Sequence, residues 1–397
     1  MVSSTRVATT NNSGIGAPRP IVASATSGLA AAMGIGRFVY TPILPVMAKA
    51  VGVSAGESAL VATSNYAGYL VAAIVLSLRP RWRGRTMIRT LTASLVVSEA
   101  AMAATTNVEV WAALRFIAGA SSAGLFISCV GAVTALVASK TVSPVMAAVA
   151  FSGVGVGIGL TGLLALATED NATWQQMWLG SSVLTALLLL PLWFSAQPRS
   201  VEKAPRTTDI VSTKGGGRPR SKIAMALMAT YFLEGLGYIV VGTFLVAAVG
   251  DAKTSTGPTV WAIVGIAAVP ATLLWAALAR RVGWPIALAI ALGVQTLGTI
   301  LPVLDGSSIT AIVTAALFGA TFMGICMLTM ECGQSLIGPN SAAPLTAVYG
   351  LGQMLGPLMV APVIGDGYGV AFTIAFVVLA CATVVSALIA RNTLPRK

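Results

Sequence analysis

The chain has no histidine, four cysteines and only twelve acidic residues in 397. Without histidine the commonest general base and the commonest metal ligand are missing, which removes most hydrolase and metalloenzyme readings. Cys129, Cys326, Cys332 and Cys381 fall inside apolar runs or at their ends, with no metal-ligand spacing, so neither a metal site nor a disulfide is expected. No Walker sequence occurs, so ATP would have to act through another chain, and no cofactor is expected. Charge of either sign is scarce. Charged residues make up 9%, against about 25% in soluble domains, while 56% are apolar. That balance excludes a soluble globular domain.

What the chain does have is apolar runs of membrane length. They lie at 27–49, 58–78, 86–106, 110–137, 146–167, 175–195, 223–248, 259–279, 285–304, 309–330, 342–364 and 369–390. Runs of about 20 apolar residues span a bilayer. Backbone groups in lipid must bond within their own segment, so these are helices. The alternation of a membrane β-barrel is absent. The expected fold class is all-α integral membrane, with twelve transmembrane helices in two pseudo-symmetric six-helix bundles.

The basic residues are sorted by side. Of 24 Lys and Arg, 20 fall on the face shared by both termini, including Arg79 to Arg89, Lys140, the stretch Arg199 to Lys222, Arg280 and Arg281. Only Lys49 and Lys253 fall on the other face, and Arg37 and Arg115 lie within the segments. This asymmetry predicts cytoplasmic termini, a multi-pass protein of the cytoplasmic membrane, and attraction to anionic inner-leaflet lipid. The formal net charge of +12 is then a topology signal. Nucleic acid is not expected as a partner, because no soluble stretch is long enough for a basic domain. The first twenty residues are polar without a cleavage pattern, so no signal peptide is expected.

The chain also repeats. Gly34-Ile35-Gly36 in segment 1 recurs as Gly235-Leu236-Gly237 in segment 7, Gly119 and Gly124 recur as Gly319 and Gly324, and Gly153-Val154-Gly155 recurs as Gly350-Leu351-Gly352. Three matches at nearly one offset, in segments of equal rank, indicate duplication. The predicted organisation is a polar tail (1–20), a first bundle (21–195), a basic linker (196–222), a second bundle (223–390) and a short tail (391–397). Two parallel six-helix repeats are a transporter plan with the solute site near the midplane. Each chain then holds a complete pathway and is expected to act as a monomer.

Several stretches resemble the major facilitator superfamily, and within it the YbfB/YjiJ-like branch. They are Gly34 to Pro42 (GIGRFVYTP), Ser64 to Tyr69 (SNYAGY), Tyr231 to Ile239 (YFLEGLGYI), Tyr349 to Gln353 (YGLGQ) and Arg115 to Gly119 (RFIAG). The resemblance implies that segments 1, 4, 7 and 10 line a cavity opening alternately to each side. Two departures stand out. The loop after segment 2 reads Arg79-Pro80-Arg81-Trp82-Arg83-Gly84-Arg85 without the superfamily's Asp, which leaves Glu331 as a substitute latch. The Gly-Pro step that exporters often carry in segment 5 is missing there, but Gly352 to Pro357 in segment 11 has it, a slight lean to efflux.

The charges inside the membrane carry the mechanism. A charge at mid-bilayer costs about 2.5–3.5 kcal/mol on insertion scales, so each needs a partner or a function. Arg37 and Glu234 lie at similar depth in equivalent segments and form a candidate proton-coupling pair, with Arg115 as a further relay candidate. The competing reading is a permanent bridge that orders the halves. Glu99 and Arg115 are equally distant from Asn107 in the turn between segments 3 and 4, and read as a structural pair. Candidate cavity residues are Arg37, Tyr40, Tyr66, Tyr69, Phe232, Glu234, Tyr238 and Gln353. Gly153, Gly157, Gly352, Gly356 and Pro357 are candidates for gating or packing, and Asn65 and Gln295 read as packing. Gly157 to Gly162 fits a dinucleotide fingerprint, yet it lies in a membrane run with no preceding strand. Asn171-Ala172-Thr173 matches a glycosylation sequon, relevant only in a eukaryotic secretory host.

The leading expectation is a secondary active transporter of a small organic solute, proton-coupled, working by rocking two halves. A proton-independent uniporter or exchanger is the alternative. A solute sensor would lack an output domain, and an enzyme would lack clustered catalytic groups.

Overall fold

The computed structural model describes residues 18–79, 84–143, 145–168, 172–195, 219–249, 256–338, 341–365 and 367–393, and every regular element among them is helical. The first span has three parts: α1 (Pro18–Leu29), a π-helical turn (Ala30–Ile35) and α2 (Tyr40–Val51). Then follow α3 (Ala55–Leu78), α4 (Arg85–Ala101), α5 (Val108–Ala138), α6 (Val145–Thr168) and α7 (Trp174–Ser195). The second half holds α8 (Pro219–Val249), α9 (Thr256–Val282), α10 (Trp284–Leu304), α11 (Ser308–Leu336), α12 (Ala342–Ile364) and α13 (Tyr368–Thr393).

Among the described residues, eleven spans are long and apolar enough to cross a membrane, counting Arg19–Val51 as one. The third, α4, has 17 residues and is continued by a 3-10 turn (Met102–Ala104). The twelve-span plan therefore holds, with a short third member. Helices begin at Pro18 and Pro219, inside the stretches assigned to the polar tail and linker, and α13 runs on to Thr393. Backbone bonding does not stop where side chains turn polar, so a formed helix extends beyond the apolar run. The remaining parts of the predicted tails and linker, the loop 80–83 that a Glu331 latch would meet, and Asn171 lie outside the described residues.

Apolar side chains cover the outside as well as the inside. Leu78, Phe194, Leu304 and Ile309 are 70–73% exposed, a pattern suited to lipid tails and hazardous in water. Twelve crossings return α13 to the face where α1 begins, here called the terminal face, and the opposite side is the far face. Arg19, Arg79, Arg85, Lys140, Lys222, Arg280, Arg281 and Arg391 sit at or near helix ends on the terminal face.

The halves meet along α6 against α9, α3 against α12 and α2 against α8. Their hydrogen bonds cluster toward the far face. Thr41 donates to the Gly242 carbonyl at 2.7 Å, Tyr66 and Thr243 share a bond of 2.9 Å, and the Trp261 indole donates to Thr161 at 3.1 Å. One apolar core runs through the first half and the far-face part of the second, joining Phe38, Trp261, Phe322 and Tyr238. A separate cluster around Leu227, Leu288, Leu328 and Leu345 belongs wholly to the terminal-face part of the second half. The bonds and the shared core that join the halves thus concentrate toward the far face.

Candidate functional site

The site begins with the break in the first span. Gly34 admits no Cβ, because one would meet the Gly157 Cα at 2.5 Å and the Val154 carbonyl at 2.7 Å. Glycines at this contact let the π turn lie directly on α6. Gly36 N–H reaches back five residues to the Ala31 carbonyl at 2.8 Å, and Thr41 N–H bonds Phe38 only three residues back at 3.1 Å. Pro42 stands in the first turn of α2, where its missing N–H has no intrahelical partner to lose. The Gly36 and Arg37 carbonyls are left for other donors, as backbone groups at this depth require.

Arg115 on α5 fills that need. Its two terminal nitrogens donate to the Gly36 carbonyl at 3.0 Å and the Arg37 carbonyl at 2.9 Å. Asn65 on α3 donates to the Arg115 carbonyl at 3.0 Å and, more weakly, to Gly36 at 3.4 Å. Arg115 and Asn65 together clamp the break.

The broken segment holds Arg37 at the seam between the halves. Arg37 is 3% exposed, with its guanidinium carbon 5.0 Å from the Tyr66 ring centre and 4.8 Å from that of Tyr69. One terminal nitrogen donates to the Gln353 side-chain oxygen on α12. The Gln353 amide in turn donates to the Tyr238 hydroxyl on α8 at 2.7 Å. Arg37 Nε has no partner. Tyr238 belongs to a row of near-parallel rings, 5.5 Å from Tyr349, which stacks at 4.1 Å on Tyr231. Phe322 continues the row at 6.3 Å from Tyr238.

Of the candidates named from sequence, Arg37, Tyr66, Tyr69, Tyr238 and Gln353 come together here. Tyr40 lies behind the break, donating to the Ser58 carbonyl at 3.3 Å. Phe232 is half-buried on α8, where its carbonyl faces the bare Gly352 of α12. Gly356 likewise lies against α8, Gly153 against Thr26 of α1, and Gly157 against the π turn. All four thus pack helices within one half. Pro357 is buried inside an α12 that continues through it.

Glu234 stands fifteen residues from either end of α8, near mid-span, as Arg37 is. Its partner is another residue. Gln295 on α10 donates to its two oxygens at 2.9 and 3.1 Å, and Thr321 on α11 donates to the Gln295 oxygen at 3.0 Å. In this state each member of the expected pair bonds a separate glutamine. Glu99 and Arg115 do not bond each other either, since the Arg115 terminal nitrogens are taken by backbone carbonyls and both Glu99 oxygens lack partners.

Sequence reasoning left Gln295 and Thr321 out of the site and gave Asn65 only a packing role. One signal for Gln295 exists: it follows Glu99 by 196 residues (295 − 99), close to the repeat offset. The arrangement suits a small solute with a hydrogen-bond acceptor or anionic group for Arg37 and a flat face for the aromatic row.

A family model described as "Uncharacterised MFS-type transporter YbfB" matches residues 29–391. Two solved structures of the nucleoside transporter NupG are similar in fold. A mutant form has a TM-score of 0.72 at 11% identity, covering 94% of this chain and 100% of that one. A second has a TM-score of 0.68 at 12% identity, covering 96% and 100%. No curated protein matches the sequence.

Proposed function

Because the chain belongs to the YbfB family of MFS-type transporters, we propose that it carries its small organic solute at the seam between Arg37, Gln353 and Tyr238, coupled to a proton on Glu234. It is a multi-pass membrane transporter and not an enzyme. The observation that carries the site is the chain of bonds from Arg37 through Gln353 to Tyr238, which crosses between halves beside a helix break. A solute acceptor arriving at Arg37 would replace the Gln353 oxygen and so loosen one tie between the halves. Binding and rocking are then linked without a separate device.

Glu234 is fully buried and held by a neutral amide, so the surroundings can change its proton occupancy as the halves move. The reading places both termini in the cytoplasm, in a membrane with anionic inner-leaflet lipid, on the charge asymmetry. It takes the monomer as the working unit. Direction leans to export, on the Gly352–Pro357 step alone.

The test is flux in liposomes loaded with a pH dye, with pools of metabolites and drugs added outside. Nucleosides belong in the first pool, as the cargo of the structurally similar NupG and as flat solutes. Proton movement triggered by one pool in the wild type, and lost in Glu234→Gln while solute exchange persists, is the expected result. Equal proton flux in both proteins would remove Glu234 from coupling. Solute flux without proton flux in the wild type would establish the proton-independent carrier instead.

A further inference from the structure

Glu99 is 1% exposed, and neither of its carboxylate oxygens has a hydrogen-bond partner. Buried polar groups are nearly always satisfied, so such a pair of orphan oxygens asks for a bound species. Its surroundings are polar and also unsatisfied. The Trp178 indole N–H of α7 and the Nε of Arg115 lack partners as well. The Thr185 hydroxyl of α7 is turned toward the Glu99 carboxyl without forming a bond of good geometry, and Arg115 is the cation within its electrostatic reach. Trp178 covers the Arg115 guanidinium at 5.7 Å.

Water comes nearest to Glu99 from the far face. A depression of about 430 Å³ opens at the far face, lined by Ala103, Ala104, Thr105, Thr106, Trp174 and Gln175. Ala103 is four residues beyond Glu99 and Trp174 is four before Trp178. Each is about one helical turn, near 6 Å along the axis. The depression is separate from the Arg37 seam and is lined by the 3-10 turn and loop that follow α4 and by the first residues of α7.

We propose that Glu99 is a second proton-binding site, loaded from the far face through this depression, and that its charge state governs how firmly Arg115 clamps the break in the first span. With the carboxyl neutral, Arg115 gives its terminal nitrogens to the Gly36 and Arg37 carbonyls, the arrangement seen here. When the proton leaves, a carboxylate within electrostatic reach of the guanidinium draws on those donors, and carboxylate pairs are the stronger. The clamp slackens, and Arg37 moves with the segment that holds it. Among the described residues, the charged group facing Glu99 is Arg115 from α5; α7 presents Thr185 and Trp178. Tyr40 of α2 lies with its ring centre 5.8 Å from the guanidinium carbon. The inference rests on the transport reading, because it gives the proton an effect on the solute arginine.

Its test needs no solute. Infrared spectra of purified protein in liposomes, recorded across pH, resolve protonated carboxyl bands. One band should vanish in Glu99→Gln and a different one in Glu234→Gln. Protection of the amides across Phe38 to Thr41, the base-catalysed intrinsic rate at each pH over the observed exchange rate, should fall about tenfold above the Glu99 titration in the wild type, one charge-assisted bond being loosened. Glu99→Gln should hold protection at the high value. Glu99→Asp, which keeps the charge, should retain the pH step should the glutamine variant fail to fold. A wild-type protein with no band removed by Glu99→Gln, or with pH-independent protection at the break, overturns the proposal. Neither readout depends on Glu234, so solute-coupled proton flux can fail independently of this inference.

Discussion

Gly265→Val should stop transport while leaving the protein folded. Gly265 on α9 faces Gly159 and Gly155 on α6, in the other half of the molecule. A Cβ there would strike the Gly159 backbone and come within 2.8 Å of the Gly155 carbonyl. Backbone on both sides cannot yield as a flexible side chain would. Overpacking of this kind costs about 3 kcal/mol or more, enough to shift the closed-to-open ratio by about a hundredfold. On the proposed rocking cycle α6 and α9 would separate as the far face opens, so the cost would fall on the arrangement described above alone. Solute flux should therefore fall to about 1% or less, with unchanged elution of the purified protein. Gly180→Ala is the control, since its added Cβ would sit 3.5 Å from Leu164, in ordinary contact. Normal flux in Gly265→Val would mean that the α6–α9 seam is not part of the cycle.

The second large effect is on stability. Arg115→Leu removes both donors that hold the broken segment and leaves the Gly36 and Arg37 carbonyls short of partners. Each charge-assisted bond is worth about 1.5–3 kcal/mol, so the expected loss is about 3–6 kcal/mol in denaturant unfolding. Asn65 still reaches the Gly36 carbonyl at 3.4 Å, which recovers a small part for one carbonyl only. Arg115→Lys should fall between, because a lysine offers one compact ammonium where two carbonyls need a fork. A leucine variant as stable as the wild type would show that the break does not depend on the clamp.

Much of this architecture was legible in the residue order. Spans follow from apolar runs, because a membrane helix must satisfy its own backbone whatever its neighbours do. Depth was legible too, and Arg37 and Glu234 do stand near mid-span. What spacing alone does not supply is direction around the helix axis. Arg37 and Glu234 share a level yet turn to Gln353 and Gln295, on different helices. The break in the first span was hidden for a related reason. Gly34-Ile35-Gly36 has a close copy in Gly235-Leu236-Gly237, but α8 runs unbroken from Pro219 to Val249. What differs is an arginine 78 residues after Arg37 (115 − 37), which takes up the freed carbonyls and has no counterpart at Ala315 near the repeat offset. Glu99 looked paired because the hairpin places it level with Arg115, and the helix break takes that arginine away.

The uneven division of the apolar core bears on how the chain is made. The second half owns a private cluster around Leu227, Leu288 and Leu328. The first half shares its core with Trp261, Tyr238 and Phe322, which are synthesised later. A ribosome that has completed α7 has therefore released a bundle whose glycine-lined α6 face still lacks its cover. During that interval the first half is the vulnerable partner, a client for membrane chaperones and quality-control proteases. Produced as two separate polypeptides cut between 196 and 218, the second half should accumulate alone. The first should be degraded unless its partner is supplied, which immunoblotting of each half with and without the other would reveal.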